Sequence, residues 1–196
     1  MRKLFAILLL LCALTGVAAA DDFGQSYDHF QTLYADNVDF INDNTGRHLL
    51  PLTFTGAFDE EGERIFVLAS GALYAQIKLD DLAEQIAYCR IMLSAPAGMT
   101  YGDSLHNDFT TSGYHSYALL MAMSKAETAF DRYALVEEVN NGLAANAGAY
   151  ETQVGDYVLT CTSQDGIATM LFENELLMGT GLEETEEEAP TIEITE

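Results

Sequence analysis

The spacing of apolar residues changes period several times along the chain. Tyr27, Phe30, Tyr34 and Ile41 recur at near-helical intervals, with Asp28, Gln31, Asp36 and Asp39 elsewhere on the wheel. This predicts a helix over 25–41, ended by the Asn42-Asp43-Asn44-Thr45-Gly46 cluster. Strand signals follow. Leu52-Thr53-Phe54-Thr55 alternates, Asp59-Glu60-Glu61-Gly62 has turn composition, Arg64 to Ala69 returns, and Leu73 to Leu79 makes a third strand after Ser70-Gly71. The second of these is apolar on both faces, which predicts a central, covered position. Asp80-Asp81 offer an N-cap and first-turn charge, and Leu82, Ile86, Cys89 and Leu93 form one stripe, predicting a helix through Leu93.

Beyond Pro96 and Gly98 the pattern weakens, and residues 96–113 read as a long loop. Tyr117 to Met123 fits a helix by propensity or a short buried strand by its apolar run. Thr128-x-x-Asp131 resembles a capping box and predicts a helix to about Asn141, stopped by Gly142. Near the C-terminus, Tyr157 to Ser163 and Ile167 to Glu173 flank Asp165-Gly166, a type I′ hairpin signal. With that two-residue loop, Cys161 faces Met170 and Leu159 faces Phe172. Tyr157, Leu159, Cys161, Ala168, Met170 and Phe172 then share one face.

These elements predict an α+β fold in one domain over 21–178, with a mainly antiparallel sheet of about five strands and helices mostly on one face. The element order resembles that of secretion-chaperone-like folds, a likeness of fold that implies no function. A helix followed by a hairpin near both ends of the body hints at a weak internal repeat.

The two ends of the chain alter this picture. Arg2-Lys3, the apolar run Leu4 to Leu14, and Ala18-Ala19-Ala20 before Asp21-Asp22 have the order of a secretory signal peptide, predicting cleavage near Ala20 and export. The apolar core is short for a membrane span of about 20 residues. Cys12 lies within the run after Leu9-Leu10-Leu11, the wrong context for bacterial lipidation. At the other end, residues 179–196 hold seven acids from Glu183 to Glu196 and are expected to be a disordered acidic tail. The formal net charge is already −23, and loss of Arg2 and Lys3 makes it two units more negative. Such a body repels phosphate backbones and anionic lipid, excluding nucleic acid and anionic membrane surfaces as partners. It suits a cationic protein partner or divalent ions, or serves solubility alone.

Two cysteines survive maturation, Cys89 and Cys161. In an exported chain they could pair, closing a loop worth about 4 kcal/mol, or remain two buried thiols. Tyr and Met richness around 88–123 would either line a ligand groove or fill the core. His106, Asp108 and His115 form a candidate metal-ligand set, although the four histidines lack zinc-type spacing. Asp36-x-x-Asp39-x-x-x-Asp43 and Asp59-Glu60-Glu61-Gly62 supply oxygens for calcium without the spacing of a calcium loop. No cofactor motif is present.

Gly102-Asp103-Ser104-Leu105 resembles the signature of the GDSL family of secreted esterases, which implies Ser104 as nucleophile. The resemblance covers four residues. The chain departs from that family in having no buried strand signal before the motif and no histidine after His115 to act as base. The sequence therefore leads to an exported acidic domain acting as a non-enzymatic binding or interaction protein. A GDSL-like serine esterase and a divalent-metal-dependent domain are the alternatives.

Overall fold

The computed structural model describes residues 24–60, 62–80, 84–94 and 111–178. It begins with a buried stitch. Gln25 donates its backbone N–H to the Tyr157 hydroxyl (3.0 Å) and its side-chain amide to Ala122 O (2.9 Å). Its carbonyl accepts from Ile86 N (2.8 Å). Helix α1, Tyr27–Thr45, follows, capped by Ser26, whose hydroxyl accepts from His29 N. The helix outruns its predicted end at residue 41. Asn44 and Thr45 bond back to the carbonyls of Phe40 and Ile41, so the polar cluster forms the last turn. Gly46, at φ 69°, supplies the left-handed cap.

One antiparallel sheet of seven strands stands in the order β1-β2-β3-β4-β7-β6-β5. The strands are β1 Thr55–Phe58, β2 Arg64–Ser70, β3 Leu73–Leu79, β4 Ile86–Ser94, β5 Ala149–Val154, β6 Tyr157–Gln164 and β7 Ile167–Glu173. Between β4 and β5 lie helices α2, Thr111–Ala122, and α3, Ala129–Ala145. A single turn, α4, Glu175–Met178, follows β7. The α+β class agrees with the sequence. The strand count does not, and two elements account for the difference.

The first is β4, which was expected to be helical. Ile86, Cys89 and Leu93 satisfy helical spacing, but Cys89, Ile91 and Leu93 also alternate with Tyr88, Arg90 and Met92. Only the former three are fully buried. Extended pairing with both β3 and β7 decides the matter, because a helix there would strand the ladder groups of both neighbours. At its start Lys78 faces Tyr88 while Leu79 faces Ile86, leaving Ala87 as a bulge. The second element is β5, absent from the prediction. Tyr150, Thr152 and Val154 alternate, and Gly155-Asp156 makes the two-residue turn into β6. A smaller shift affects β1, which begins at Thr55 where the predicted strand ended.

The C-terminal hairpin has the predicted register: Gln164 faces Ile167, Cys161 faces Met170 and Leu159 faces Phe172. Asp165 and Gly166 take φ 53° and 78°, as a type I′ turn demands. Residues on its predicted inner face are buried in the core cluster shared with α1, α2 and α3, so the helices cover one side of the sheet.

Cys89 and Cys161 are both buried free thiols. Of the two outcomes the sequence left open, a bridge or two buried thiols, topology excludes the bridge. β7 separates β4 from β6, placing the two Cα atoms about 9–10 Å apart or more, beyond the roughly 7 Å a bridge can span. Burial pushes the Cys89 thiol up, and the Cys161 thiol up to about 12. In the chain lacking residues 1–20, two thiols should therefore titrate in denatured, unreduced protein, and almost none in the native state; a loss of both in the denatured sample would contradict this arrangement.

Gly142 does not stop α3, which continues to Ala145. Its role is close approach, since a Cβ there would overlap the Tyr150 ring of β5. Gly142→Ala should cost about 1–3 kcal/mol through overpacking, despite the roughly 1 kcal/mol that Ala gains over Gly inside a helix. Urea denaturation gives the sign.

Candidate functional site

Of the sequence-derived candidates, Ser104, His106 and Asp108 lie outside the described residues. His115 is described, on α2 rather than in a loop, with 1% of its surface exposed. Its Nδ1 lies 2.8 Å from the Tyr34 hydroxyl, which also accepts from Leu52 N (3.2 Å). The hydroxyl proton needs an acceptor, and neutral His115 provides one at Nδ1. Burial lowers the His115 pKa and raises that of Tyr34 to about 12, so both groups stay neutral near pH 7. His115 is thus a buried link between α1 and α2. Asp36, Asp39 and Asp43 lie on the exposed side of α1. Asp59 Oδ1 accepts from Glu63 N across the β1–β2 turn. Among the described residues no three His, Cys, Asp or Glu side chains converge as a metal site.

Where α1, α2 and α3 meet, a polar clamp fixes their mutual placement. Asn37 donates to Ala118 O on α2 (3.1 Å) and accepts from Arg132 Nε on α3 (2.8 Å). Arg132, 3% exposed, also donates to the carbonyls of Ala126 and Glu127. Burial lowers its pKa, and nearby Asp36 opposes that shift. One helical turn along α1 from Asn37, at Phe40 and Ile41, the helices part to leave a groove of about 330 Å³.

Five aromatic rings line this groove: Phe40, Tyr114, Tyr117, Phe130 and Tyr133. Phe40 and Tyr133 are tilted with centroids 6.4 Å apart, and Tyr117 meets Tyr133 edge to face at 6.5 Å. Phe130 is 76% exposed, a large apolar side chain left at the groove's rim. The Arg47 guanidinium stands 4.6 Å above the Tyr114 ring, so one ring here already faces a cation. Among the described residues the groove lining carries no histidine, cysteine or carboxylate. Of the Tyr and Met residues around 88–123, Tyr114 and Tyr117 line the groove and also belong to the core cluster, as do Met121 and Met123.

A second cleft, of about 380 Å³, lies at the start of α1. Tyr27 stacks on Phe66 at 3.9 Å, and Arg64 lies 5.0 Å over the Phe66 ring. Burial, with a smaller push from Asp28, raises Tyr27 to about 12. Asp28, Asp80 and Glu84 line this cleft together with Arg64. The aromatic groove is the better candidate, being apolar, concave and rimmed by an exposed ring. No protein family, characterised protein or solved structure matches this chain.

Phe40 and Phe130 were not singled out from the sequence. They sit on helices far apart in the chain, and only the packing of α1 against α3 brings them together. His115 yields a pH dependence with a definite sign. Because its folded pKa is depressed, its contribution is full above the unfolded value near 6.5. It is lost as pH falls below that value toward the folded one. The wild-type Tm should therefore drop more between pH 7.5 and 5 than that of His115→Gln, which keeps an acceptor for Tyr34. Parallel melting curves at the two pH values would disprove this.

Proposed function

We propose that this chain is an exported acidic binding domain that holds a cationic, apolar-bearing partner, in the first instance a basic protein segment, in the aromatic groove between α1, α2 and α3. The observation that carries the reading is the groove itself, five rings with the apolar Phe130 left exposed at its rim. Aromatic faces attract ammonium and guanidinium groups by about 0.5–2 kcal/mol each, more when water is excluded. The net charge of −23 draws cations to the surface before any contact forms. Export is supported by the charged, apolar and small-residue order of residues 1–20, and the exported form should begin within a residue or two of Asp21.

Calorimetric titration with a short Lys- and Leu-containing peptide, against a Glu- and Leu-containing control, tests the assignment. The basic peptide should bind and the acidic one should not. Phe130→Ala and Tyr133→Ala should each weaken binding roughly threefold or more. Equal binding of both peptides, or affinity unchanged in both variants, would sink the groove reading. A fluorophosphonate probe that labels the wild type and not Ser104→Ala would replace it with the esterase alternative.

A further inference from the structure

The sheet has a second face, opposite the helices, and none of its side chains belongs to the core cluster that joins sheet to helices. The strand register lays this face out in rows. One row runs Val158, Glu173, Tyr88, Lys78 and Ile65; the next runs Thr160, Leu171, Arg90, Gln76 and Val67. The face mixes apolar residues (Val158, Tyr88, Leu171, Val67, Met92) with Thr160, Thr162, Thr169 and Gln76, and its charge is unlike that of the rest of the chain. On the strands this face carries Glu151 and Glu173 against Lys78 and Arg90, while Arg64 lies on the helix side over the Phe66 ring, in a chain of net charge −23. The other described acids stand on helices, turns and connections.

We propose that two copies of the chain associate through this face, sheet on sheet, about a two-fold axis running along β4. Three observations carry it. β4 is the middle strand of seven, with three strands on either side. Lys78 and Glu173 are the two partners of Tyr88, one on each side of that axis. The two-fold therefore sets each Lys78 against Glu173 of the other copy, twice per dimer; Ile65, beside Lys78, is already buried within its own chain. Like charges repel two copies almost everywhere else, so this balanced face is the surface on which they can meet.

Size agrees. Seven strands about 4.8 Å apart, with three rows of outward side chains, offer on the order of 600 Å² per copy before side-chain relief. That reaches the lower end of specific interfaces, about 1,200 Å² in total. Lys78 also pairs with Glu63 at the margin of the face, a bond between partly exposed groups. The same axis sets Arg90 against Arg90 of the other copy, a like-charge contact that opposes the two Lys78–Glu173 pairs, and each guanidinium lies over its own Tyr88 ring at 5.3 Å. Aligned sheets cross at about 30°, so correspondence holds best near β4 and loosens toward the edges.

Sedimentation equilibrium of the mature chain tests the assignment, with circular dichroism melts confirming that each variant folds. The wild type should be dimeric at about 100 µM, well above the micromolar dissociation constants at the weak end of such interfaces. Lys78→Glu and Glu173→Lys, each creating two like-charge contacts, should weaken the dimer at least about tenfold. The double swap Lys78→Glu with Glu173→Lys should restore it. A monomer at that concentration overturns the proposal and leaves the face to a different partner. A dimer that ignores both single swaps and also Met92→Asp, at the centre of the face, overturns it equally.

Discussion

Everything else in this fold is arranged around the burial of α2 on all sides. Gly113 to Met123 are buried without a break, so this helix has no solvent face. A helix apolar all round must be enclosed. The sheet closes one side, through β3 and β4, and α1 and α3 close the others. Full burial of side chains such as Leu119, Leu120 and Met121 stabilises the fold by about 1.5–3 kcal/mol each. The cost is that every polar group along α2 must find a partner inside the protein. Tyr34 serves His115, Asn37 serves the carbonyl of Ala118, Gln25 serves that of Ala122, and Ser116 turns back onto Gly113 O.

Those partners come from α1 and from the segment just before it, which ties the start of the described chain to its centre. Gln25 joins the end of α2, the first residue of β4 and the Tyr157 hydroxyl at once. Tyr157 in turn donates to Ile86 O (2.8 Å), so the two meanders of the sheet meet around one phenol. The Asn37–Arg132 clamp extends the same logic to α3. A guanidinium held by an amide and two carbonyls is rigid in direction, and it ties the start of α3 to α1. Phe40 meets Tyr133 about one turn along α1 from Asn37, at the groove.

The two faces of the sheet divide the labour. The inner face is spent on α2 and its flanking helices. The outer face keeps Tyr74, Tyr88, Met92 and Leu171 half-buried among themselves, with charges balanced across β4. Concentrating acids on helices and turns keeps the chain strongly anionic without placing repulsion inside the ladder.

Local chemistry was legible in the sequence wherever it decided the outcome alone. Asp165-Gly166 set the turn, and with it the register of β6 on β7. Ser26 was not named, yet Gly46 and Thr128 ended and began helices by backbone conformation and capping. Where two periods fitted the same residues, the sequence could not choose. Ile86, Cys89 and Leu93 satisfy a helix and a strand alike, and only the edges of β3 and β7, waiting for partners, made them a strand. Gly142 reads as a helix stop until Tyr150 is seen lying on it. The thiols of Cys89 and Cys161 face the core, as their patterns implied, but the strand between them is a fact of topology. The net charge follows from residues read singly. The groove, the clamp and the balanced outer face are products of tertiary structure, because each joins residues that only packing brings within reach.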